Sequence, residues 1–116
     1  MTTVDPRLEH TIVQILRWLV AGDYIGIEKF TQGVRLSAPL LRQAVVQYGR
    51  TLAMPPDSAL ELLDVIEIEH SKPRAWSVRV DLWTLEEGCG DLSLECTLID
   101  QPGDLLAVEV DNLHVL

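Results

Sequence analysis

The stretch LWTLEEGCGDLSLEC, residues 82–96, gathers six reactive side chains in fifteen positions: Glu86, Glu87, Cys89, Asp91, Glu95 and Cys96. Carboxylates do general acid–base work only when they are aimed at a substrate. The two cysteines, seven residues apart, are too few for a disulfide framework or a zinc site. Gly88 and Gly90 bracket Cys89 between two strand-like runs, not ahead of a helix, so they make no phosphate-binding loop. His10, His70 and His114 have no spacing that would let them share a metal. The sequence therefore assigns no catalytic residue, no metal ligand and no cofactor, and the stretch reads first as the tip of a hairpin.

The elements that position it follow from the apolar period. Asp5-Pro6 is a helix start, Asp capping the first free amides and Pro suiting the first turn. Leu8, Ile12, Ile15, Leu16 and Leu19 then recur every three or four residues and make one stripe to bury. A shorter helix is expected over 23–30, weakened by Gly26, followed by an extended piece over 33–36. From Ser37 a second strong helix runs to about Leu52, with Leu41, Ala44, Val45, Tyr48 and Leu52 on its apolar face and Pro55-Pro56 as its stop.

Beyond it the period becomes two. Ile66 and Ile68 alternate with Glu67 and Glu69; Trp76, Val78, Val80 and Leu82 alternate with Ser77, Arg79, Asp81 and Trp83. Leu92, Leu94, Cys96 and Leu98, then Leu106, Val108 and Val110, complete four strands that each have one apolar face. Short turn-rich connectors favour a consecutive antiparallel meander. Helices first and strands after predict a single α+β domain over 1–116, with helices about 5–52 packed on one face of a curved four-stranded antiparallel sheet, strands about 59–113.

In this arrangement the inward sheet positions are apolar, and only the helices offer polar tips to an interior pocket. Trp18, Tyr24, Tyr48 and Trp76 are the residues that would line one, the setting for a small-molecule-binding or enzymatic alternative. The outward face carries Arg79, Asp81, Trp83, Glu95 and Glu109. A large indole among charges beside Arg is the composition of a protein-contact surface, and these five are the candidate partner-binding residues.

Charge narrows the partner. Residues 1–56 hold four acids and six bases, a balance of +2, whereas residues 57–116 hold fourteen acids against Lys72, Arg74 and Arg79, a balance of −11. Such a domain repels phosphate backbones, which excludes nucleic acid, and attracts basic proteins. At 47% apolar residues the chain can bury enough surface to fold, with looseness expected only in the first few residues. No leader peptide or membrane span is legible. The expectation is a soluble, cytoplasmic domain that binds a protein partner and forms a homodimer through its outer face.

The segment WSVRVDLWTLEEGCGDLSLE and the ending VEVDNLHVL resemble the C-terminal signature of a small bacterial domain family of unknown function, matched here at Trp76, Asp81, Leu82, Trp83, Thr84, Glu86, Glu87, Gly88, Asp91 and Leu92. Cys89 and Gly90 depart from that pattern, so it transfers no role to Cys89. The resemblance implies a bacterial source and adds no catalytic residue. Element order resembles the cystatin-like cone of the nuclear transport factor 2 superfamily. Small acidic bacterial α+β domains also serve as immunity proteins that mask toxins, which gives the non-enzymatic interaction reading a concrete form by analogy.

Overall fold

The computed structural model describes residues 5–115, so the first residues and the last position of the closing Val-Leu lie outside it. Four helices, α1 (Arg7–Ala21), α2 (Tyr24–Thr31), α3 (Ala38–Tyr48) and the single-turn α4 (Asp57–Leu60), are joined to strands β1 (Leu52–Ala53), β2 (Asp64–Glu67), β3 (Ala75–Thr84), β4 (Gly88–Ile99) and β5 (Ala107–Val115). The sheet is open and antiparallel, in the order β1-β3-β4-β5, and β2 shares the β1 side of β3. The expected meander is present as β2 to β5. The expected count of four strands is corrected to five, because Leu52–Ala53 leaves the helix and pairs with Trp83–Thr84.

The helices cover one face of this sheet. Leu8, Ile12, Ile15 and Leu16 of α1, Ile27 of α2 and Leu41 of α3 meet Val78, Leu94, Cys96, Leu98 and Val110 in one buried cluster. Asp5 fixes the start of α1: its Oδ1 accepts the Arg7 N–H at 3.0 Å, while the Arg7 guanidinium reaches Asp100 Oδ1 at 2.7 Å and the Gln101 carbonyl at 2.7 Å. The helix entrance is thereby tied to the β4–β5 loop. Deeper in, Thr11 Oγ1 accepts the Leu106 N–H at 3.0 Å, and both residues are fully buried. A buried amide with no ladder partner needs such an acceptor.

Three further expectations are corrected. The second strong helix stops at Tyr48, because Gly49 takes the left-handed conformation that closes a helix and its N–H returns to the Val45 carbonyl; Ser37 precedes the helix without a side-chain cap. The piece over 33–36 is a turn, not a strand, with Gly33 and Arg35 both at positive φ. Around β2 the expected inward pair, Ile66 and, just beyond the strand, Ile68, is exposed, and Leu63 and Val65 turn toward the core instead. Register decides this: Val65 lies opposite inward-facing Val78, whereas Ile66 lies opposite outward-facing Ser77.

Candidate functional site

The β3–β4 hairpin that raised the first question is held by its own polar groups. Glu86 folds back onto the start of β1, accepting the Thr51 N–H at 2.8 Å and the Thr51 hydroxyl at 2.9 Å, and these bonds hold its carboxyl below the usual carboxylate range. Glu87 accepts from the Tyr48 hydroxyl at 2.7 Å, and the same hydroxyl accepts the Asp91 N–H at 2.8 Å. Donation to Glu87 pushes the Tyr48 phenol upward. Gly90 makes room for this junction: a methyl there would lie 3.0 Å from the Leu82 carbonyl oxygen and 3.1 Å from the Tyr48 hydroxyl. The turn acids thus tie the hairpin to the end of α3 and the start of β1. Cys96 is fully buried in the core and burial pushes its thiol up, while Cys89 is exposed.

Fixing the hairpin sets one wall of a groove. Between Ala53 and Asp64 the chain leaves the edge of β3 and returns through Pro55, α4 and Leu62, so β1 and β2 pair with separate parts of β3. The gap holds a cavity of about 280 Å³ lined by Pro55, Ala59, Leu62, Leu63, Asp64, Arg79, Val80, Asp81, Trp83 and Cys89. Trp83 and Cys89 face each other in register across the hairpin. Trp83 is half-buried, Arg79 and Asp81 are exposed, and Leu62 is 80% exposed at the rim. The Arg79 guanidinium lies 3.9 Å from Asp64 Oδ2, a loose surface pair.

Of the five outer-face candidates, Trp83, Arg79 and Asp81 meet in this groove, and Glu95 and Glu109 do not line it. Glu95 stands opposite Arg79, yet its carboxylate lies 3.2 Å from His114 Nε2. Glu109 and Asp111 take Arg35, whose Nε is 3.4 Å from Glu109 Oε1 and 2.7 Å from Asp111 Oδ1, the latter outside hydrogen-bond alignment. The interior candidates occupy different settings. Trp76 is a core residue beneath the Arg74 guanidinium, and Trp18 packs on Phe30 with ring centroids 5.4 Å apart. Tyr24 borders a surface groove between α2 and α3, and Tyr48 holds the hairpin.

Sequence reading missed Ser93, whose hydroxyl is buried under the outer face without a hydrogen-bond partner among the described residues. Ser93 stands opposite His114, and with Glu95 the three repeat the residue types of a hydrolytic triad. The bond from hydroxyl to imidazole that such chemistry needs is not made, and His114 Nδ1 lies instead 3.3 Å from Asn112 Nδ2. Only a bulge in the β5 register between Glu95 and Cys96 brings His114 opposite Ser93, and no period in the sequence announces it. Among the described residues no group of three or more His, Cys, Asp or Glu side chains could hold a metal ion, and no helix is long and apolar enough to cross a membrane.

A family model described as a domain of unknown function (DUF7668) matches residues 16–116. No curated protein and no solved structure matches the chain.

Proposed function

The chain belongs to the DUF7668 family of unknown function, and we propose that it is a non-enzymatic protein-interaction domain whose contact surface is the groove beside Trp83. The observation that carries this reading is the convergence of a half-buried indole, an apolar wall of Pro55, Leu62 and Leu63, and the charged rim of Arg79, Asp81 and Asp64. Aromatic anchors partly enclosed by apolar neighbours and edged by charge are where contact energy concentrates in protein interfaces. The −11 balance of residues 57–116 supports a basic partner, which it would draw in at low ionic strength. Homodimerisation through the outer face, a cytoplasmic setting, an immunity-like role and kinship with the cystatin-like cone belong to the same proposal. Helices that precede and cover one face of an antiparallel sheet support the last of these.

The alternative, a small-molecule-binding or enzymatic cone domain working from an interior pocket, has less support. Trp18 packs on Phe30, Trp76 lies in the core, Tyr24 borders the α2–α3 groove and Tyr48 holds the hairpin, so the four occupy separate settings.

Light scattering of the full chain establishes its oligomeric state, and the chain immobilised at low salt then captures protein from its host, identified by mass spectrometry. Trp83→Ala should lower the affinity for the captured partner, or dissociate the dimer, while the melting temperature moves by a few degrees at most. An affinity and oligomeric state untouched by Trp83→Ala would sink the reading.

A further inference from the structure

β3 carries an unused pairing position inside the groove. Ile68 N–H donates to the Ala75 carbonyl at 2.9 Å, and Leu85 N–H donates to the Thr51 carbonyl at 2.9 Å. In an antiparallel ladder every second residue turns its N–H and C=O to the same neighbour. The odd-numbered residues of β3 therefore address the side occupied by β2 and β1. Ser77 meets Ile66, Arg79 meets Asp64 and Trp83 meets Ala53. Asp81 falls between the two short strands, and none of the described residues offers its N–H or C=O a hydrogen bond. Asp81 also lines the cavity.

Resting on the interaction reading, we propose that three residues of an extended segment of a protein partner dock in this notch, opposite Val80, Asp81 and Leu82, the middle one pairing with the Asp81 N–H and C=O between β1 and β2. Strand addition of this kind takes affinity from main-chain hydrogen bonds and selectivity from the pockets beneath alternate side chains. A residue directly opposite Asp81 projects on the outer face beside it. Arg or Lys suits that position, because Asp81 makes no ion pair among the described residues and the Trp83 face lies alongside. The residues before and after it point the other way, toward Val80 and Leu63, and there an apolar side chain fits. The segment is thus an apolar–basic–apolar stretch in extended form, and a cavity of about 280 Å³ accommodates side chains of a peptide.

The probe is acetyl-Leu-Arg-Leu-amide, whose three residues match the stretch Val80–Leu82 left between Asp64 and Ala53, titrated into the ¹⁵N-labelled full chain. The Asp81 amide and Trp83 indole resonances should move and saturate. The same peptide N-methylated at its Arg cannot donate to the Asp81 carbonyl and should bind about tenfold more weakly. Asp81→Pro removes the amide where the ladder does not use it, a kind of strand position that accepts Pro, and should weaken the unmodified peptide similarly. No movement at Asp81 and Trp83, or equal binding of the N-methylated peptide, overturns the pairing. If Trp83→Ala still releases the captured partner in that case, the groove remains an interaction site and only its strand-addition mode fails.

Discussion

Replacing Gly90 by Ala tests whether the hairpin is docked as tightly as its geometry indicates. The added methyl would stand 3.0 Å from the Leu82 carbonyl oxygen, 3.1 Å from the Tyr48 hydroxyl and 3.3 Å from Glu87 Oε1. The first of these is backbone and yields only if β3 moves. Overpacking of a close site costs about 1–3 kcal/mol. Because Gly90 does not sit at positive φ, Ala meets no backbone penalty there and recovers about 0.4–1 kcal/mol by restricting the unfolded chain. The two ranges combine to a net loss centred on about 1.3 kcal/mol, read as a lower urea midpoint at unchanged m, or as a melting temperature about 4–8 °C lower. Combining Gly90→Ala with Tyr48→Phe should cost less than the two losses added, since the phenol is one of the groups the methyl meets. A Gly90→Ala variant as stable as the parent would refute the close docking of the hairpin, and with it the fixed Trp83–Cys89 wall of the groove.

Two more changes probe how the scaffold is tied together. Thr11→Val leaves the Leu106 N–H buried without its acceptor, a loss of about 1–3 kcal/mol that Thr11→Ser should avoid; urea denaturation and faster hydrogen exchange at Leu106 would register it. Acid should loosen the same scaffold, because Asp5 is held low chiefly by Arg7, Glu86 by Thr51 and Glu67 by Arg74. A carboxyl lowered on folding contributes stability in full above its unfolded value, 3.8 for Asp and 4.5 for Glu, and loses it as pH falls through the folded one. The urea midpoint should therefore drop over that acid range, less steeply in Glu86→Gln, and a midpoint flat with pH would contradict these ties.

Much of the scaffold could be read from spacing alone. The stripe Leu8, Ile12, Ile15, Leu16 and Leu19 has one helical solution, and the alternation from Trp76 to Leu82 has one inward phase; both are buried as their period requires. The run LLDVIEIE is different, since Leu63 and Val65 supply one phase and Ile66 and Ile68 the other. Only pairing with β3 chooses between them, and pairing is not a local property. The same holds for β1, two residues long and framed by Thr51 and Pro55, and for α4, a single turn: neither is long enough to show a period. At the candidate site, Trp83, Arg79 and Asp81 were legible as an outward alternating set. The groove they border was not, because it arises where two short strands fail to meet.

That failure to meet links the stability of the hairpin to the proposed function. A strand bonded on both sides along its whole length has no main-chain group left for a partner, whereas a long bare edge invites indiscriminate pairing. In β3 the β4 side is occupied, and on the other side β2 and β1 cover Trp76 to Arg79 and Trp83 to Thr84. What stays open is the stretch from Val80 to Leu82, with only Asp81 turning its main-chain groups that way, walled by Trp83 and by the α4 segment, and it admits only a segment that fits both the pairing and the pocket. The acids of the hairpin, which looked like reactive groups, hold Trp83 at the edge of this opening by anchoring the turn to Thr51 and Tyr48. Cutting those anchors should therefore widen what the notch accepts before it unfolds the domain: Glu86→Ala with Glu87→Ala, which removes the accepting oxygens, should bind the acetyl-Leu-Arg-Leu-amide probe and its N-methylated form more nearly alike than the parent does. Unchanged discrimination between the two peptides would mean that the hairpin anchors and the groove are independent.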